Sequence, residues 1–85
     1  MSLPNLDEIS KVLAQMIADK MEIDVNTITA ESKLTELGLD SLDTFDLIFN
    51  AEDYFKIKVP NDQVQIGTLQ DVADLVHKLI IAQNS

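Results

Sequence analysis

Apolar residues recur at helical spacing near both ends of the chain, and this periodicity constrains the fold more than any other feature. Leu6, Ile9, Val12, Leu13, Met16 and Ile17 fall at three- and four-residue intervals, which predicts one apolar stripe on a helix over residues 5–20. Leu69, Val72, Val76, Leu79 and Ile80 repeat the pattern over residues 68–82. An aliphatic stripe is stable only when another element covers it, so these helices must share a core. Polar residues mark where each begins. Asn5 can accept from unpaired N–H groups of the first turn with Glu8 reaching back, and Thr68 with Asp71 offers a similar cap.

Between them, residues 40–54 read as a third long helix, opened by Asp40 or Ser41 after a flexible approach at Gly38. Its apolar residues are too many for one stripe. At about 100° per residue, Leu47, Ile48, Ala51 and Phe55 gather on one side, whereas Leu42, Phe45 and Phe49 point toward another. One set faces the core and part of the other stays at the surface, with core packing an equal alternative for Phe45. Residues 23–39 show no sustained period, but Val25, Ile28, Leu34 and Leu37 recur often enough to pin an ordered loop. Residues 56–59 alternate like a strand, yet Pro60 ends the run and no second strand is available, so this is a connecting turn. Residues 61–66 read as a short helix. The expected architecture is a single all-α domain over residues 1–85, a small bundle of three main helices plus a short helix before the last, with a long first loop.

At 85 residues the chain holds one compact core and buries about 60 to 65% of its unfolded surface. With 46% hydrophobic residues but only three Phe, one Tyr and no Trp, aliphatic side chains must supply that core. Cysteine is absent, which excludes disulfides, thiolate catalysis and cysteine metal sites. Fifteen acids against six bases give a net charge of -9, a surface that repels phosphate backbones and anionic membranes. Nucleic acid is therefore disfavoured as a partner. The N-terminus lacks the pattern of a signal peptide, and no apolar run approaches the roughly 18 residues of a membrane span, so the expectation is a soluble cytoplasmic protein without membrane insertion.

Few residues are candidates for chemistry. His77 lies off the last helix's stripe and reads as solvent-facing. Asp40, Asp43 and Asp46 recur at helical spacing, but no glycine-centred calcium loop or bidentate glutamate follows, so they read as a solvated acidic face and no metal is expected. Ser41 stands between two of these acids. A catalytic serine needs a base and an oxyanion hole, and "GLDSL" is not the G-x-S-x-G elbow of a serine hydrolase. As an N-cap, serine at this position would be ordinary.

The stretch "LGLDSLDTFDLIFNAEDYF", residues 37–55, resembles the prosthetic-group attachment region of acyl carrier proteins, whose signature is D-S-L at the start of the second helix. The similarity covers almost the whole chain, in order: an amphipathic opening helix, a long loop, "KLTELGLDSLDT", "FKIKVPND", and a closing helix near "TLQDVADLV". The resemblance implies that Ser41 receives 4'-phosphopantetheine from coenzyme A, supplying the thiol that a cysteine-free chain lacks. It further implies a non-enzyme that carries acyl thioesters for fatty acid or related lipid synthesis. Its partners would be a phosphopantetheinyl transferase and acyl-loading and acyl-transfer enzymes, which present basic and apolar patches to the second helix of a monomeric carrier. The corresponding docking surface is Asp40, Leu42, Asp43, Asp46, Phe49, Glu52 and Asp53. Tyr54, Lys56 and Lys58 depart from the acids usual there and favour a carrier for a specialised pathway, such as polyketide, modified lipid or aminoacyl transfer. A small acidic adaptor without a prosthetic group is the alternative of a different class, and it would have no need of Ser41.

Overall fold

The computed structural model describes residues 3–60 and 67–83. In chain order it contains α1 (Leu6–Met21), a 3-10 turn (Val25–Thr27), α2 (Ser41–Phe55) and α3 (Leu69–Gln83). All three long helices stand where the periodicity places them, to within a residue at each end. Among the described residues there is no strand, only an isolated antiparallel bridge between Lys33 and Thr68. The short helix expected over residues 61–66 lies outside the described residues.

Local chemistry sets each helix start. Asn5, in extended conformation, accepts the Glu8 N–H through its side chain at 2.8 Å and so satisfies one of the unpaired donors of α1. At α3, Asp71 Oδ2 accepts from the Gly67 and Thr68 N–H groups at 2.9 and 3.0 Å, while its own N–H donates to Thr68 Oγ1 at 3.3 Å. The ends of α1 and α2 follow one design. Glu22 and Lys56 adopt the left-handed conformation, with φ of 56° and 59°, although neither is glycine. Each donates its N–H to the helix carbonyl four residues back, and the isoleucine that follows donates to that same carbonyl, Ile23 to Ala18 and Ile57 to Glu52. Both isoleucines then turn into the core, Ile57 fully and Ile23 in part.

The core is aliphatic throughout. Ile9, Leu13 and Ile17 of α1 meet Leu69, Val72, Val76 and Ile80 of α3, and Leu47 and Ala51 of α2 close the bundle. The long first loop contributes Ile28, Leu34 and Leu39, so it is a packed wall of the domain, as the recurring apolar residues predict. Backbone bonds tie it to the start of α3: Leu34 N–H to the Gly67 carbonyl at 3.0 Å and Leu69 N–H to that of Ser32 at 3.1 Å. His77 differs from its expected solvent-facing position and is half-buried, because it shares a helical row with the buried Ala73 and Ile80.

Candidate functional site

The wall formed by the first loop ends at Gly38, and α2 begins three residues later. Gly38 takes a φ of +96°, a conformation that L side chains rarely adopt, and an added Cβ there would lie 3.1 Å from the Met21 methyl. This turn seats Leu39 in the core and sends the chain outward at Asp40.

Asp40, not Ser41, is the N-cap of α2. Its carboxylate accepts the Asp43 N–H at 2.9 Å, and the Asp43 carboxylate accepts the Asp40 N–H at 3.3 Å, a reciprocal capping box. The Asp40 carbonyl also receives the Thr44 N–H and hydroxyl, each at 2.9 Å. Sequence alone leaves either Asp40 or Ser41 as the opening residue. The aspartate takes the role, which leaves Ser41 in the first turn, exposed, its hydroxyl unengaged by any described residue. Beside it lies an open groove of about 370 Å³ lined by Leu34, Thr35, Leu39, Thr44 and Phe45.

Along α2 the second apolar set emerges as the wheel predicts. Leu42, Phe45 and Phe49 are 75%, 42% and 61% exposed, which resolves Phe45 toward the surface, while Leu47, Ile48 and Ala51 are buried. Tyr54, also exposed, packs edge-on against Phe55 with ring centroids 4.8 Å apart. The docking acids of the sequence reading differ in how they are held. Asp46 and Asp53 are exposed, Asp43 and Glu52 half-buried. Glu52 reaches back to accept the Val59 N–H at 2.8 Å, pinning the segment after α2 to the helix. Among the described residues no group of three or more His, Cys, Asp or Glu is placed to hold a metal ion.

Periodicity gives no sign of Lys20. From the last turn of α1 its ammonium reaches Asp46 Oδ2 at 3.1 Å and Asp43 Oδ1 at 3.5 Å. The hydrogen bond that Lys20 donates to Asp46 holds the Lys20 pKa above its ordinary value of 10.5 against the opposing effect of desolvation, and the charges of Asp46 and Asp43 add to it. A contact across 26 residues of sequence has no local signature.

An exposed hydroxyl in the first turn of a helix, an apolar groove beside it and a row of exposed apolar residues lie together on the helical bundle. Among the described residues no side chain is hydrogen-bonded to the Ser41 hydroxyl. Residues 11–76, which include Ser41, match the family model of the phosphopantetheine attachment site. The chain is similar to an acyl carrier protein of Porphyromonas gingivalis, 35% identical over 75 residues that span 86% of this chain and 96% of that one. An acyl carrier protein of Treponema denticola is 34% identical over 73 residues, 84% of this chain and 94% of the relative. In three dimensions the acyl carrier protein of Thermotoga maritima superposes with a TM-score of 0.82 at 26% identity, covering 92% of this chain and 93% of that structure. The chain belongs to the acyl carrier protein family, whose covalent cofactor is 4'-phosphopantetheine. Membership implies a phosphopantetheinyl transferase and acyl-handling enzymes as partners. No helix among the described residues is long and apolar enough to cross a membrane.

Proposed function

We propose that Ser41 is the attachment point of 4'-phosphopantetheine and that the chain is a non-catalytic, monomeric cytoplasmic carrier, one domain that presents acyl thioesters to enzymes of fatty acid or related lipid synthesis. The observation that carries this reading is the exposed Ser41 hydroxyl, bonded to no described residue, in a turn whose capping is already completed by Asp40 and Asp43. When bound, the cofactor supplies the thiol on which an acyl group is held as a thioester. Everything else falls to the chain. Ser41 Oγ attacks the phosphorus adjoining pantetheine in coenzyme A, adenosine 3',5'-bisphosphate leaves, and the serine proton passes to the transferase.

The residues around Ser41 fit such a group. The α2 N-terminus favours a phosphodiester by about 0.3 to 1 kcal/mol. Asp40 and Asp43 oppose it by a similar amount, since like charges 4 Å apart cost about 1 kcal/mol even in bulk water. A covalent ester is therefore the appropriate tether. Leu34, Leu39 and Phe45 give the adjoining groove an apolar floor suited to an alkyl chain. Leu42 and Phe49 supply an apolar contact and the exposed Asp53 an open acid on the same helix for partners with basic patches, while Asp40, Asp43, Asp46 and Glu52, bonded within the chain, add to the negative potential of that face.

Incubation of the chain with coenzyme A and a broad-specificity phosphopantetheinyl transferase should add one phosphopantetheine by intact mass, and Ser41→Ala should abolish the gain completely. The Ser41→Ala chain should melt with wild type, because the cap is Asp40. A mass gain that survives Ser41→Ala would overturn the assignment. A second reading, a carrier for polyketide, modified lipid or aminoacyl transfer, uses the same serine. It is favoured by Tyr54, Lys56 and Lys58, all exposed where α2 ends.

A further inference from the structure

The acids nearest Ser41 are spoken for within the molecule. Asp40 gives its carboxylate to the α2 cap. Asp43 and Asp46 share the Lys20 ammonium, at 3.5 and 3.1 Å, a surface ion pair that joins the last turn of α1 to the first half of α2. Lys20 also occupies the last turn of α1, where the helix dipole favours a positive charge. Farther along α2 the situation reverses. Asp53 is exposed and has no bonded cation among the described residues. The helix therefore presents a satisfied, apolar-rich half next to Ser41 and an acid open to pairing at the other end.

We infer that Lys20 is a specificity-determining residue: by holding Asp43 and Asp46 it withdraws their carboxylates from pairing with a partner, and it suits the face around Ser41 to enzymes that offer an apolar pocket with a sparse basic rim there. A partner arginine or lysine aimed at Asp43 or Asp46 meets carboxylates whose charge is already compensated by a cation bonded to both. A partner pocket for Leu42 and Phe49 meets no such competitor. Charge pairing governs encounter and its salt dependence, whereas apolar burial governs residence, so Lys20 lowers the electrostatic share of recognition. It acts through Asp43 and Asp46, not on Ser41.

The test uses the apo chain, coenzyme A and a broad-specificity phosphopantetheinyl transferase with a basic docking patch, following mass gain over a range of sodium chloride. Lys20→Met should lower KM by about threefold or more at low salt, leave kcat unchanged, and steepen the fall of kcat/KM with salt. Lys20→Arg should restore wild-type behaviour. Asp46→Asn should raise KM more in the Lys20→Met background than alone, since only there is Asp46 open to the transferase. Unchanged KM and salt slope for Lys20→Met, or additive effects of the two substitutions, would overturn the inference. If Lys20→Met melts below the assay temperature, Asp46→Asn alone decides: a less than about twofold change in KM supports engagement by Lys20, and a larger one refutes it. The inference rests on Ser41 as the attachment point, and the two fail differently. No mass gain on wild type removes the Ser41 reading, while mass gain with an indifferent Lys20 removes only this one.

Discussion

α1 and α2 are nearly equal in length, 16 and 15 residues, yet they dispose of their apolar side chains in opposite ways. Ile9, Leu13 and Ile17 of α1 are wholly buried against α3 and the first loop. α2 buries Leu47, Ile48 and Ala51 but leaves Leu42, Phe45 and Phe49 at the surface. Single exposed apolar residues are unremarkable on a soluble domain. A row of them on one helix, beginning next to an exposed serine, suits the docking role proposed for α2. On the proposed function the two helices of one core divide the work: one holds the fold, and the other gives up part of its packing to meet partners.

The sharpest way to break this comparison is to shorten one leucine in each helix. Leu13→Ala opens a cavity in the aliphatic core and should cost about 2 to 5 kcal/mol, as measured by thermal or urea unfolding. For a domain of this size each kcal/mol lowers Tm by roughly 4 to 8 °C. Leu42→Ala should stay within about 0.5 kcal/mol of wild type in stability. Its loss should appear in the transferase assay, as faster dissociation that is nearly independent of salt and worth more than about 1 kcal/mol. Equal melting losses for the two variants would mean that Leu42 is a core residue after all.

Local pattern made much of this division legible. Spacing alone separated Leu47, Ile48 and Ala51 from Leu42, Phe45 and Phe49, because about 100° per residue assigns faces without knowledge of neighbours. Asn5 and Thr68 were readable as caps for the same reason: their partners lie three residues away. Features built by tertiary contact or by backbone choice left no such mark. Lys20 meets Asp43 and Asp46 only because α1 and α2 pack side by side. Glu22 and Lys56 end their helices in a conformation for which glycine is the usual signal, so nothing announced them. Glu52 read as one more surface acid until the chain after α2 folded back and brought the Val59 N–H to it.

That last contact divides two adjacent acids as α1 and α2 divide their leucines, and a pair of neutralising substitutions sharpens the point. Glu52→Ala leaves the half-buried Val59 N–H without its charged acceptor and should lower stability by about 1 to 2 kcal/mol, read from chemical denaturation. Asp53→Asn, one residue on and exposed, should leave the unfolding curve in place. It should instead slow association with a basic transferase at low salt, an effect that fades once screening shortens the reach of charge to about 8 Å at physiological ionic strength. If Asp53→Asn destabilised the fold as much as Glu52→Ala, the assignment of one acid to structure and its neighbour to recognition would fail.

The smallest expected effect lies at the start of α3, where Asp71 and Thr68 cap the helix and provide the counterpart to the box that Asp40 and Asp43 form beside Ser41. Hydrogen bonds from the Thr68 and Gly67 N–H groups hold the Asp71 pKa below its ordinary value of 3.8. A carboxyl whose pKa is lowered by folding favours the folded state in its ionised form. That contribution is complete above the ordinary carboxylate range and is lost as pH falls through the lower folded value. Lys20 behaves in the opposite sense: its raised pKa gives a contribution that is complete below 10.5 and is lost only as pH rises through the folded value. Asp71→Asn should therefore cost up to about 1 kcal/mol at neutral pH, the value of an exposed hydrogen bond to a charged group discounted for solvent. The gap between wild type and variant should close on acidification below the ordinary carboxylate range, while transferase kinetics at neutral pH stay those of wild type. A stability gap that persisted into strong acid would show that Asp71 supports α3 by shape rather than by charge. A changed KM would show that α3 also reaches the partner, and the separation of holding helix from docking helix would no longer stand.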